Sequence, residues 1–222
     1  MDALLTNFFN IEVFKQVWPF LLDGLLTTLG LSALVIPLGL AGGLAVALLS
    51  TQGGRWVRIL VAVYVDLFRA LPPLVLLIFI YFGFPFLGID LPKLLAVALG
   101  FLLNNAAYYG EIFRAGLLSV PTGQMEAARS TGLTRRQALA HVVIPQAVRN
   151  VLPDLLGNSI EVVKLTTIAS VVALPELLRI ARDAQALTYN PSPVVLAALI
   201  YLALLWPLVR LLSRLEHKPL PP

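Results

Sequence analysis

Residues 121–153 read PTGQMEAARSTGLTRRQALAHVVIPQAVRNVLP, a polar interval in a chain that is otherwise mostly hydrocarbon. Its local pattern is short helix, turn, short helix. Pro121 suits a first helical position, where a missing N–H costs nothing. Gln124 to Thr131 are helix formers on balance, and Gly132 suits a left-handed residue just past a helix end. Thr134 followed by Gln137 is a capping-box start for a second helix. Pro145 then marks a break or kink. Between Arg114 and Arg149 the positive residues are Arg114, Arg129, Arg135, Arg136 and Arg149, against the single carboxylate Glu126. A plain solvated loop held by positive charge needs neither a glycine at this offset nor a second capped helix. A DNA-binding helix-turn-helix needs a third packing helix and freedom to enter a groove. Here both ends run straight into apolar segments.

The rest of the chain explains that surrounding. Of 222 residues, 59% are hydrophobic and 13% charged, whereas soluble domains carry about a quarter charged residues. The composition is that of an all-α integral membrane protein. There are no cysteines, so neither disulfides nor thiol chemistry are available. His141 and His217 are the only histidines and no close acidic cluster accompanies them, which argues against a metal site. The net charge of +4 sits mostly in membrane-flanking loops and does not imply nucleic-acid binding. No G-x-x-x-x-G-K-[ST] phosphate loop is present, so the chain cannot hold ATP by that device. Gly42-Gly43 and Gly53-Gly54 read as helix-packing and turn glycines. No nucleophile–base set suggests an enzyme. The first twenty residues lack the basic start and small-residue cleavage site of a signal peptide. Phe8 to Trp18 is expected to form a short amphipathic surface helix.

A spanning helix needs about twenty apolar residues. Five segments qualify, at 20–50, 57–84, 91–113, 151–174 and 194–212, and together they make 1–222 a single transmembrane domain. Ten Lys and Arg flank the spans on one side, among them Arg55, Arg58, Arg135 and Arg210, and four on the other, Lys15, Lys93, Arg179 and Arg182. Positive charge marks the cytosolic side. The N-terminus is then outside, the C-terminus cytosolic, and the 121–150 loop cytosolic. Residues 175–193 are too charged to span and read as an external amphipathic helix. The tail after Arg214 is short, proline-rich and expected to fray.

Polar groups inside spans need partners or water. Asp66 and Arg69 are three apart and can pair, with a proline kink following at Pro72. Glu161 and Lys164 share that spacing and precede Thr166 and Thr167. They read either as a self-neutralising packing pair or as the lining of a water-filled path, where a carboxylate and an ammonium meet a zwitterion. Asn104, Asn105, Tyr108 and Tyr109 crowd the third span, and the asparagines read as interhelical hydrogen-bonders or as path residues.

The loop also carries a motif. Glu126-Ala127-Ala128, Gly132, Val142, Ile144 and Pro145 fit the pattern E-A-A, three residues, G, nine residues, I-x-L-P, with Val142 and Ile144 as the two departures. This resembles the EAA loop of bacterial ATP-binding-cassette importer permeases. The run LLNNAAYYGEIFRAGLLSVPTGQMEAA and the phrase Asp23-Gly24-Leu25-Leu26-Thr27-Thr28-Leu29 resemble the polar-amino-acid branch, of histidine, glutamine and arginine type. YVDLFRALPP resembles that family's second-helix signature. The likeness covers nearly the whole chain. It departs at Leu165, where relatives carry an acid in a K-D-T-S-like run. It implies a type I, MetI-like permease fold of five spans in the bacterial inner membrane. It implies a cytosolic ATPase dimer that binds the ATP and magnesium, a second permease subunit, identical or paralogous, an extracytoplasmic solute-binding protein, and a polar or charged amino acid as cargo. Glu126, Ala127, Ala128, Gly132 and Pro145 would form the ATPase-docking element. The other readings are a secondary transporter or channel, which needs its own coupling-ion site, and a membrane anchor without transport.

Overall fold

The computed structural model describes residues 6–216, with side chains to Arg214. The proline-rich tail lies outside the described residues beyond that point. Every secondary-structure element among the described residues is helical, and the α-helices are α1 Ile11–Gln52, α2 Arg55–Ala70, α3 Pro73–Ile78, α4 Lys93–Ser119, α5 Thr122–Ser130, α6 Arg135–Ala138, α7 Ile144–Asn150, α8 Leu152–Leu165, α9 Leu177–Thr188 and α10 Ser192–Glu216.

Three helices among the described residues are long and apolar enough to cross a membrane: Thr6–Gln52, Leu152–Val172 and Ser192–Arg214. Arg55–Ala70 with Pro73–Leu87 makes a fourth if that broken pair is one span. The break follows from Pro72, which pushes Leu71 into extended backbone (φ −79°, ψ 126°) and ends α2. α4, expected as the third span, is 27 residues long, enough to cross, but is not among the helices apolar enough. The paired asparagines and tyrosines at its centre dilute its hydrocarbon. The expected surface helix at the N-terminus is not separate, because α1 runs unbroken from Ile11 through Pro19 and Pro37. Prolines are tolerated in such helices because local adjustment re-satisfies the freed carbonyls.

The chain divides into two compact units. One comprises the chain up to Val35, Pro73–Gly100 and the chain from Ile160. Its core joins α1, α9 and α10 through Val17, Leu21, Leu177, Ala181, Ala184 and Ala197. The amphipathic helix expected within 175–193 is α9, and its small face is what buries. Gly24 lets α9 approach closely, since a Cβ there would lie 3.0 Å from the Leu177 Cα. The α9 start is pinned by Glu176, which is fully buried. Its carboxylate accepts from the Leu178 and Arg179 amides at 2.8 and 2.7 Å. The Tyr201 hydroxyl donates to it at 3.3 Å. The Leu177 amide donates to Thr28 Oγ1 at 3.1 Å.

The other unit comprises Ile36–Pro72 and Phe101–Ser159. Its seam is a run of small residues between the C-terminal parts of α1 and α4. Gly39 and Gly43 on α1 meet Asn105 and Tyr109, Gly42 meets Ala106, and Gly110 on α4 meets Val46. This is the small-residue packing that lets membrane helices touch backbone to backbone. Gly42-Gly43 is therefore a packing pair, as read from the sequence.

Candidate coupling segment and polar membrane residues

α5, α6 and α7 form the 121–150 segment. Pro121 is the residue before α5 rather than its first helical residue, with extended ψ of 139°. Gly132 ends the turn after α5 at φ +91°, the left-handed conformation that glycine takes without strain. Thr134 caps α6 in a full capping box: the Gln137 amide donates to Thr134 Oγ1 at 3.3 Å, and the Thr134 amide donates to Gln137 Oε1 at 2.9 Å. Pro145 produces no break. The chain takes one π-helical turn at Leu139–Val143, and Pro145 then sits in the first turn of α7. The wider turn absorbs the missing amide, as inserted turns commonly do.

The segment has its own small core, Val120, Val143 and Ala147 against Leu117, Met125 and Leu139. Ala128 is buried while Glu126, Ala127, Gly132 and Pro145 are exposed. So the alanine pair divides its labour: one packs inward, one faces out beside Glu126. Gln146 donates to Gln124 Oε1 at 3.3 Å, and Asn150 to Ser119 Oγ at 2.8 Å, tying α7 back to α5 and α4. Among the described residues, Glu126, Arg129, Arg135, Arg136 and Arg149 form no ion pair. The surface therefore presents one carboxylate and four guanidiniums without charged partners. A cavity of about 430 Å³ opens between Gln52, Met125, Glu126, Arg129, Arg135 and Val143.

Glu161 and Lys164 are paired three residues apart on α8. Both remain exposed, the carboxylate at 61% and the ammonium at 47%. Thr166 is fully buried, and its hydroxyl returns to the Val163 carbonyl at 2.7 Å. Thr167 is partly exposed and donates to the Lys164 carbonyl at 2.9 Å. Here α8 tightens into a 3-10 turn, Thr166–Val172, that ends in left-handed Ala173 (φ 54°). These four residues share one stretch of one unit.

Asn104 and Asn105 belong to the other unit. Both are buried, yet they differ. Asn104 Nδ2 donates to the Phe68 carbonyl at 2.9 Å, holding α2 to α4. The amide nitrogen of Asn105 is buried without a hydrogen-bond partner among the described residues, an expensive arrangement. Asn158 Nδ2 on α8 is in the same state, and sequence reasoning did not single it out. Tyr109, one of the residues expected to crowd the third span, pairs its hydroxyl with Ser159 Oγ at 2.8 Å. The expected Asp66–Arg69 pair is not formed. Arg69 instead lies over the Tyr108 ring, 5.5 Å from its centroid. Arg114 does pair, with both nitrogens on Glu111 at 2.9 and 2.8 Å. Among the described residues no cluster of His, Cys, Asp and Glu could hold a metal ion.

Glu176 was also missed. Its signal was present, an acid directly before an amphipathic helix, in the position that caps amides. Burial pushes its carboxyl above the ordinary carboxylate range, partly offset by the Leu178 and Arg179 amides and the Tyr201 hydroxyl.

Long apolar helices, a polar segment with a capping box at its central turn and buried side-chain amides define a helical membrane subunit. Residues 36–219 match the family described as binding-protein-dependent transport system inner membrane component, and the chain belongs to it. Such permeases are the membrane components of ATP-binding-cassette importers and leave ATP hydrolysis to a separate subunit. The chain is 34% identical over 197 residues to the probable amino-acid ABC transporter permease protein YckA of Bacillus subtilis (strain 168), covering 88% of this chain and 87% of that one. A crystal structure of an amino acid ABC transporter with histidines superposes with a TM-score of 0.82 at 34% identity, over 93% of this chain and 97% of that one. An inward-facing methionine ABC transporter, MetNI, superposes at TM-score 0.74 with 22% identity, over 88% and 94% of the two chains, a likeness of fold alone.

Proposed function

We propose that this chain is the transmembrane subunit of an ATP-driven importer of polar or charged amino acids. It works beside a second permease subunit, on a cytosolic ATPase dimer, and receives cargo from an extracytoplasmic solute-binding protein. The observation that carries the reading is the 121–150 segment. It combines the EAA pattern with a left-handed Gly132, a full capping box and exposed, unpaired Glu126. A rigid, charged helix–turn–helix is what a lever must be if motion of an ATPase subunit is to reach the spans without dissipating. Glu126, Ala127, Gly132 and Pro145 form its docking face, and Ala128 packs inward to support it.

In this reading the chain crosses the bacterial inner membrane five times, with α4 as the remaining span. Its asparagines are compatible with burial among helices rather than against lipid. The N-terminus is outside and the C-terminus cytosolic. The cargo-path residues of the first unit are Glu161, Lys164, Thr166 and Thr167, and those of the second, taken by itself, are Asn104 and Asn105. An exposed carboxylate and ammonium on one helix face suit the two charged ends of an amino acid. The amino-acid class draws support from the relatives, one named for amino acids and one crystallised with histidines.

The test is reconstitution. The permease, its ATPase and its binding protein are placed in liposomes, and ATP hydrolysis is followed as single amino acids are added. Stimulation by polar or charged amino acids, with uptake in proportion, supports the proposal. Hydrolysis and uptake indifferent to every amino acid defeat the cargo assignment. Uptake that persists without the ATPase defeats the coupling assignment.

A further inference from the structure

The C-terminal end of α1 carries a feature that docking at Glu126 and the cargo path leave unexplained. A cavity of about 450 Å³ opens there, lined by Leu48, Leu49, Gln52, Arg135, Arg136 and Leu139. Its two walls differ in kind. One is hydrocarbon: Leu48 and Leu49 belong to the last turns of a helix apolar enough to cross a membrane, and Leu49 is 49% exposed. The other is cationic: Arg135 and Arg136 are the first two residues of α6. Arg135 donates to Gln52 Oε1 at 2.8 Å, which holds its guanidinium at the end of the apolar helix. Neither arginine forms an ion pair among the described residues.

An occupant that satisfies both walls must carry an anionic head and a hydrocarbon tail. A soluble anion leaves the leucines unused, and a neutral lipid leaves two guanidiniums without a counter-charge. We propose that this cavity binds an anionic phospholipid. The headgroup phosphate sits on Arg135 and Arg136, whose planar forks match phosphate oxygens. The acyl chains run along Leu48 and Leu49 toward the hydrocarbon. Basic residues at the edge of a span are the usual means of holding such headgroups. Its Gln52 and Arg135 also line the neighbouring cavity beside Glu126, whereas Leu48, Leu49 and Arg136 belong to this one alone.

The experiment uses the complete permease–ATPase complex in mild detergent, supplied with phosphatidylglycerol or phosphatidylcholine and weighed by native mass spectrometry. The variants are Arg135→Gln with Arg136→Gln, and Arg149→Gln, which removes an exposed charge at the end of α7, outside the cavity. Folding of each is checked by size exclusion and circular dichroism. The expected result is retention of phosphatidylglycerol over phosphatidylcholine by about tenfold, lost in the double variant and kept in Arg149→Gln. Equal retention of the two lipids overturns the proposal, as does a preference that survives the double variant or falls equally in Arg149→Gln. Displacement of the lipid by inorganic phosphate makes the site a plain anion site. A double variant that keeps its lipid but sheds the ATPase assigns the arginines to protein contact, which also overturns it.

Discussion

Replacing Gly43 with alanine tests whether the α1–α4 seam holds the second unit together. A Cβ at Gly43 would lie 2.4 Å from the Tyr109 Cβ, 2.8 Å from the Tyr109 carbonyl carbon and 2.9 Å from the Gly110 nitrogen. Carbon atoms prefer about 3.5–4.0 Å, so the helices must part by roughly 1 Å. Two of the three blocking atoms are backbone, so no rotamer change relieves the clash. Tyr109 is itself fully buried and bonded to Ser159, and its displacement strains that bond as well. Overpacking of this kind costs about 1–3 kcal/mol, and alanine returns up to about 1 kcal/mol as a better helix former than glycine. With the full helix gain subtracted, the net expectation is a loss of up to about 2 kcal/mol. Gly30→Ala is the control, in the interior of the same helix with no atom within 4 Å of the added carbon. It collects the helix gain without the clash. The assay is the aggregation midpoint of the detergent-solubilised protein, followed by fluorescence-detected size exclusion. If Gly43→Ala melts at or above Gly30→Ala, the close packing argued for this seam is wrong.

The other predictions concern coupling, cargo, topology and pH. Gly132→Asp places a side chain at φ +91°, straining the turn by about 1 kcal/mol or more. It should insert normally yet uncouple hydrolysis from uptake, and wild-type transport would remove the turn from the coupling path. Glu161→Gln with Lys164→Met removes both charges together, so no unpaired ion remains. Uptake by the assembled complex should fall and the order of preferred amino acids change, whereas an unchanged order leaves the pair a packing role. Cysteines placed singly at exposed Ala140 and Gln185 should react with impermeant thiol reagents from the cytosol and from outside, respectively. Labelling of both from one side refutes the topology. Glu176 has a folded-state carboxyl raised above its unfolded range. Its contribution to stability is therefore whole below the ordinary carboxylate range and lost as pH rises through the raised one. Melting against pH should decline across that window in the wild type and flatten in Glu176→Gln, and parallel curves would show that another group titrates.

Several features were legible in the sequence for local reasons. A capping box requires only Thr134 and Gln137 at a spacing of three, and the structure forms it. Gly132 takes its left-handed angle because the turn needs a residue without a Cβ. Leu152–Val172 and Ser192–Arg214 appear as apolar runs of the right length. The pairing of Glu161 with Lys164 follows from helical pitch. Where local grammar failed, a competing contact won. Pro145 does not break its helix, because a π turn before it takes up the lost hydrogen bond. Arg69 is at pairing distance in sequence from Asp66 but finds the Tyr108 ring from another helix.

What the sequence determined by itself was the chemistry of each segment: which runs are too apolar for water, which turn is capped, and which motif ties the chain to its family. Those properties depend on residues within a few positions of one another, and short-range sterics and hydropathy settle them. What only the tertiary structure decided was which polar groups find partners. Asn104 and Asn105 are identical neighbours in sequence, yet one bonds the Phe68 carbonyl and the other buries an unpartnered amide. Glu176 stands at a capping position in sequence, but its burial arises only when α1 and α10 pack against its helix and Tyr201 reaches its carboxylate. A buried polar group is defined by atoms brought from distant parts of the chain, and no local pattern encodes their arrival.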